Sequence, residues 1–172
     1  MKLILTPDNA APEGAVVAAI HAADGLAIRA ARWRPQGPSA GTVLVCPGRA
    51  EFIEKYFETV GELLARGLTV VVFDWRGQGL SARELSNPFK GHIDDFSHYE
   101  RDLEALVAQV LEPFCPRPWF ALAHSMGGAI LIAQARAGRS PFERIVTTAP
   151  MIELSCLRLP RLARALAQTL DA

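Results

Sequence analysis

The residues whose types and spacing could do chemistry are Ala123-His124-Ser125-Met126-Gly127-Gly128. An apolar run, Trp119-Phe120-Ala121-Leu122-Ala123, leads into Ser125, and Ala129-Ile130-Leu131-Ile132-Ala133 resumes with helix formers. That order predicts a strand, a sharp turn and a helix. A serine at such a turn is lifted off the strand ends with its hydroxyl exposed, and the chemistry it suits is nucleophilic attack. The turn is strained, so the residues two before and two after must be small. Here they are Ala123 and Gly127. The usual pattern is G-x-S-x-G, and Ala123 adds one methyl where close approach is needed. The new helix would aim its free N–H groups and positive dipole end at the serine. The competing reading is a strand-to-helix turn that merely holds a serine. The matching context on both sides favours the nucleophile.

A serine hydroxyl is a poor nucleophile until a base takes its proton. The candidate bases are His21, His92, His98 and His124. His124 adjoins the serine, but a neighbour in such a turn points elsewhere. His92 and His98 lie in or beside the loop after Ser81, on the sheet edge expected to carry the serine, but ordinary loop structure is the favoured account of both. His21 reads as a strand residue. After Ser125 the chain has no histidine, and its acids there are Glu143, Glu153 and Asp171. Asp74-Trp75-Arg76-Gly77-Gln78-Gly79-Leu80-Ser81 also invites a catalytic reading. Structure explains it better: Asp74 and Arg76 can tie down the loop after their strand, and Gly77 and Gly79 permit its turns. No phosphate-cradling helix follows its Gly-x-Gly, which argues against a dinucleotide site.

The elements that must position these residues read as follows. Residues 6–14 are a polar entry segment. Two apolar-rich runs, 15–23 and 26–34, flank Asp24-Gly25 and predict a hairpin, the second with Ile28, Ala30 and Trp33 alternating against Arg29 and Arg32. Thr42-Val43-Leu44-Val45-Cys46 and 68–73 are continuous apolar strands, as in a buried parallel sheet. Between them Ile53, Tyr56, Phe57, Val60, Leu63 and Leu64 share a helix face, with Glu54, Glu58 and Glu62 elsewhere and Gly67 at the end. Ser97-His98-Tyr99-Glu100 has capping-box spacing. The helix it starts buries Tyr99, Leu103, Leu106, Val107 and Val110, and Pro113, Pro116 and Pro118 separate it from the next strand. A further strand covers 145–149. Strands alternating with helices predict an α/β fold with a mainly parallel sheet.

The 172 residues are enough for one domain with a real core. Lys+Arg and Asp+Glu balance at 18 each, so no basic excess points to nucleic acid. The 3 cysteines, Cys46, Cys115 and Cys156, are odd in number and widely spaced. They make neither a disulfide framework nor a metal set, which points to a reducing compartment, the cytoplasm. No stretch approaches a membrane span, and the apolar start is too short for a secretory signal.

With these motifs in place, the chain resembles the α/β-hydrolase family, in the branch that contains lysophospholipase L2 and monoacylglycerol lipases. Pro47-Gly48-Arg49-Ala50-Glu51 through Lys55-Tyr56 is similar to that family's oxyanion loop, His-Gly-x-Gly-Glu with a following Tyr. Residues 74–81 resemble its D-x-R-G-x-G-x-S segment, and the serine turn comes third, in the family's order. Gly91-His92-Ile93-Asp94-Asp95-Phe96 resembles a segment of the lysophospholipase branch. Pro47 departs from the family's His and leaves the backbone donors. The resemblance implies an α/β-hydrolase fold, helices on both sheet faces, and a serine carboxylic-ester hydrolase acting on monoacyl lipids through an acyl-enzyme on Ser125. It implies an oxyanion hole from the backbone N–H groups of Arg49 and Met126, and neither metal nor cofactor. The family's order is Ser, then acid, then His. The acid and His are therefore expected outside these residues, with the chain as the N-terminal portion, incomplete at its C-terminus and inactive alone. Residues 1–150 would form the core and 151–172 the start of a lid. Leu159, Leu162, Leu166 and Leu170 share one face of an amphipathic segment there, suited to a peripheral membrane surface or, equally, to packing on its own domain. The rivals are a non-catalytic domain that binds a lipid or partner, and an acyltransferase using the same serine.

Overall fold

The computed structural model describes residues 1–152. Six strands make one sheet in the order β1-β2-β4-β3-β5-β6. Strands β1 (Val16–His21) and β2 (Ala27–Trp33) form the expected hairpin. It turns at Gly25, whose φ of 81° favours glycine. Strand β2 lies antiparallel to β4 (Thr69–Phe73). From there β4, β3 (Thr42–Cys46), β5 (Trp119–His124) and β6 (Arg144–Thr148) run parallel, with Val45 beside Val72, Cys46 beside Ala123 and His124 beside Thr148. Parallel neighbours bring their C-terminal ends to one edge. The loops after β3, β4 and β5 therefore leave the sheet together, and these are the three loops that carry the motifs.

Helices cover both faces. On one, a 3₁₀ turn (Ile53–Tyr56) runs into α1 (Phe57–Ala65), and Ile53, Phe57 and Val60 pack on Val43, Val45, Val70, Val72 and Trp33. On the other, α2 (His98–Leu106) and α4 (Met126–Arg136) place Tyr99, Leu103, Leu106, Ile130 and Leu131 on Leu44, Val71, Phe73 and Ala121. Strands β3 and β4 are buried along their whole length, which is why they read as continuous apolar runs. Each fully buried Val or Leu contributes roughly 1.5–3 kcal/mol. Strand β6 differs. Its residues alternate between exposed and half-exposed, and Val146 is 59% accessible.

Three local expectations change. Arg29 and Glu54, read as polar-face residues, are both buried, because they pair with each other. Ser97 makes no side-chain cap at α2. Instead the Asp95 carboxylate accepts the Ser97 N–H at 2.8 Å. After α2 the chain continues through a π turn (Val107–Leu111) into α3 (Glu112–Phe114), so Pro113 sits inside the last turn. The Leu159, Leu162, Leu166 and Leu170 face lies outside the described residues.

Candidate active site

Ser125 stands between β5 and α4 with φ 48° and ψ −113°. Such backbone costs an L residue roughly 1–3 kcal/mol and persists only when its surroundings over-determine it. They do so here. The Ser125 N–H donates to Thr148 O at 3.1 Å, and the Ser125 carbonyl accepts N–H groups from Ala129 at 3.2 Å and Met151 at 3.0 Å. The close approach falls at Gly127, where a Cβ would meet the Cys46 carbonyl oxygen at 2.4 Å and that of Pro47 at 2.7 Å. At Gly128 it would meet Pro150 Cβ at 2.9 Å. The methyl of Ala123 is buried in the core. Helix α4 thus starts hard against the loop after β3, as the serine turn requires. The Met126 N–H lies in the first turn of α4, among the amides that an α-helix leaves without an intrahelical acceptor.

The loop after β3 lies against the serine. A Cβ on Gly48 would stand 3.2 Å from Ser125 Cβ and 3.1 Å from His124 Cδ2. Its amides are unequal. The Gly48 N–H donates to Glu51 Oε2 at 2.6 Å, and the Ala50 N–H donates to Gln78 Oε1 at 2.8 Å. Between them, the Arg49 N–H has no acceptor among the described residues. Ala50 sits at φ 60°. Glu51 is buried, and its carboxylate also accepts the Tyr56 hydroxyl and Lys55 Nζ. Burial pushes this carboxyl up, but Lys55, Tyr56 and the Gly48 N–H outweigh it and hold it below the usual range. Burial and the Glu51 charge together push the Tyr56 phenol well up. Pro47 keeps its place through its carbonyl, which accepts Trp75 Nε1–H at 2.8 Å.

The loop after β4 is a scaffold of charges. Asp74 is fully buried; it accepts Arg29 Nε–H at 2.7 Å and the N–H groups of Leu80 at 2.7 Å and Ile53 at 2.9 Å. Arg29 also holds both oxygens of Glu54, at 2.7 and 2.8 Å. Arg76 meets Asp102 at 2.6 Å, Asp24 at 2.8 Å and Glu84 at 3.1 Å. Ser81 accepts the Arg29 N–H at 2.8 Å and donates to the Asp74 carbonyl at 2.6 Å. At Gly79 a Cβ would fall 2.1 Å from Asp74 Oδ2, so only glycine fits. These groups are committed to one another, in keeping with the structural reading of this segment.

His124 Nδ1 faces Thr148 Oγ1 at 3.1 Å, and His92 Nε2 faces Asp94 Oδ1 at 2.7 Å. His98 Nδ1 lies 3.5 Å from Glu84, and His21 is exposed in β1. Among the described residues none hydrogen-bonds to Ser125. Glu84, His92 and Asp94 bring ligand-type atoms within 4.8 Å of one another. Glu84 there already serves Arg76 and the Asp94 N–H. Cys46 and Cys115 are free and buried. Burial drives the Cys46 thiol far up, which makes it inert. The sequence pattern gave no role to Glu51 or Gln78. Their signal was position alone, inside the two loop motifs.

A family model described as Serine aminopeptidase, S33, matches residues 37–172. Lysophospholipase L2 of Escherichia coli is 38% identical over 137 residues, covering 80% of this chain and 40% of that protein. Monoglyceride lipase of Rattus norvegicus is 31% identical over 130 residues, covering 76% of this chain and 41% of that one. The chain thus spans about two fifths of the length of these curated relatives. A soluble variant of monoglyceride lipase from Saccharomyces cerevisiae, solved with a substrate analogue, superposes with a TM-score of 0.66 at 25% identity, over 92% of this chain and 52% of that one. No helix among the described residues is long and apolar enough to cross a membrane.

Proposed function

The chain belongs to the serine aminopeptidase S33 family of α/β hydrolases, and from that premise we propose that it carries the nucleophile of a serine carboxylic-ester hydrolase acting on monoacyl lipids. The observation that carries the reading is the Ser125 turn: a strained, non-glycine residue with a positive φ at the start of α4, with the loop after β3 pressed against it. The names of the relatives, lysophospholipase and monoglyceride lipase, support the substrate class.

In the proposed reaction the Ser125 Oγ attacks the ester carbonyl carbon and its proton passes to a base. The carbonyl oxygen becomes an oxyanion, which accepts hydrogen bonds from the N–H groups of Arg49 and Met126. Each such donor contributes about 3 kcal/mol to lowering the barrier. The alcohol leaves with the proton, giving an acyl-enzyme on Ser125. Water then attacks that ester, releases the fatty acid and restores the serine. With no described histidine hydrogen-bonded to Ser125, the base and its acid are proposed to come from outside residues 1–172. Residues 151–172 are proposed to begin a lid, with Leu159, Leu162, Leu166 and Leu170 toward acyl chains or a lipid surface.

The test compares the full-length protein with Ser125→Ala on a monoacylglycerol and a lysophospholipid. Fatty-acid release is expected from the wild type and is expected to vanish in the variant. Residues 1–172 expressed alone are expected to give no turnover above the variant. Release that survives Ser125→Ala would end the reading. Acyl transfer to an added alcohol in place of fatty-acid release would favour the acyltransferase alternative.

A further inference from the structure

We propose that Gln78, acting with Glu51, is a positioning residue for the oxyanion hole: it fixes the loop after β3 so that the Arg49 N–H, rather than those of Gly48 and Ala50 on either side of it, is left to face the reacting carbonyl. The proposal rests on Ser125 being the nucleophile.

Three consecutive amides of this loop are treated differently. The Gly48 N–H is taken by Glu51 Oε2 at 2.6 Å and the Ala50 N–H by Gln78 Oε1 at 2.8 Å, while the Arg49 N–H between them has no acceptor among the described residues. Tying the outer two fixes the peptide planes on either side of the 48–49 peptide. A free loop would instead spread its N–H directions over many orientations, and a donor helps only when it is already aimed at the developing charge. Ala50 adds a second reason for an anchor. At φ 60° it holds a conformation that costs an alanine roughly 1–2 kcal/mol, so something must keep it there. The bond from its own N–H to Gln78 does so.

Gln78 is itself held, which makes it an anchor rather than a passenger. It is 6% exposed, and its N–H donates to the Trp75 carbonyl at 2.9 Å. The next residue, Gly79, lies so close to the buried Asp74 carboxylate that no side chain fits. Trp75, three residues earlier, donates its Nε1–H to the Pro47 carbonyl at 2.8 Å. Residues 74–81 therefore grip the loop after β3 at two points, Pro47 and Ala50, on either side of Gly48 and Arg49. The charged scaffold under Asp74 is what stiffens the grip. On this account the D-x-R-G-x-G-x-S segment acts on the reaction through two neutral side chains, Trp75 and Gln78.

The experiment uses the full-length protein and a soluble short-chain ester. Gln78→Met keeps the side-chain length and removes the acceptor. It is expected to lower kcat about tenfold with KM within about twofold, the signature of an interaction felt in the transition state. Gln78→Glu keeps an acceptor oxygen at the same reach and is expected to hold kcat within about threefold of wild type. Gln78→Asn withdraws the acceptor by one methylene and is expected to fall with Met; it carries the comparison if the Met variant does not fold. Equal kcat in wild type and the Met and Asn variants would overturn the proposal. So would a loss confined to KM, or a loss in the Glu variant as large as in Met. Ser125→Ala is assayed alongside. If it stays active, the hydrolase reading itself has failed; if it is dead while Gln78 is indifferent, only the positioning role has.

Discussion

The loops after β4 and after β5 leave the same edge of the same sheet, yet they treat their polar groups in opposite ways. After β4, Asp74, Arg76 and Ser81 are buried and each is bound to several partners. After β5, Ser125 has a strained backbone and no histidine on its hydroxyl. Both stretches hold residues that chemistry could use. The difference is that a charge with two or three fixed partners is spent on structure, whereas a hydroxyl on a costly backbone, with no hydrogen-bond partner among the described residues, is available to react. Among the described residues the non-glycine positive φ values fall at Ala50, Ser125 and Ala149. Ser125 bonds to Thr148 and Met151, which flank Ala149 and Pro150, on one side, and Gly48, two residues before Ala50, lies against it on the other. Strain gathers around the serine, as expected of a functional site.

If the contrast is right, mutations in the two regions should fail in different currencies. The largest effect on stability is expected from Arg76→Met. It leaves Asp102, fully buried, without its guanidinium. Removing one partner of a buried pair costs about 3–5 kcal/mol, readable as a lower urea midpoint at unchanged slope. Ser125→Ala strands no partner and should shift stability by less than about 1 kcal/mol. A cost for Ser125→Ala as large as that for Arg76→Met would erase the contrast.

The next effect falls on turnover. Arg49→Pro removes the proposed donor N–H, while Arg49→Ala keeps it. The Pro variant is expected to turn over about 10²–10³-fold more slowly than the Ala variant, in proteins with matching circular dichroism. Equal turnover would mean that this amide does not face the oxyanion.

The smallest effect concerns pH. The Arg76 guanidinium beside Asp24 holds its carboxyl down, from an ordinary 3.8 to about 2. A lowered carboxyl pKa stabilises the fold above its unfolded value, and the contribution is lost as pH falls through the folded one. Asp24 is partly exposed, so solvent screens the pair. Asp24→Asn should flatten the fall in melting temperature between about pH 4 and pH 2 and leave its shape above pH 5 unchanged. An identical acid profile would place the Arg76 network's acid sensitivity elsewhere.

The fold was legible where burial writes itself into short stretches. Strands β3 and β4 are apolar throughout because both faces are covered, and the Asp24-Gly25 hairpin and the Ser125 turn are local by nature. What sequence could not give was long-range pairing. Arg29 sits in an alternating strand, so it read as solvent-facing; its partners Glu54 and Asp74 lie 25 and 45 residues away. Glu54 read as a polar helix face for the same reason. Ser97 had the right spacing for a capping box, but Asp95 took its N–H first. Gln78 was visible only as the variable letter between two glycines, because its acceptor role depends on Ala50, 28 residues earlier. The site was therefore legible as motifs, and the ties between motifs needed the fold.

The central claim is that Ser125 is the nucleophile, and covalent capture tests it most directly. The full-length protein is treated with a fluorophosphonate, digested and mapped by mass spectrometry. The account predicts a single adduct on the peptide carrying Ser125, and none in Ser125→Ala. An adduct on another residue with Ser125 unmodified, or undiminished labelling of Ser125→Ala, would contradict it.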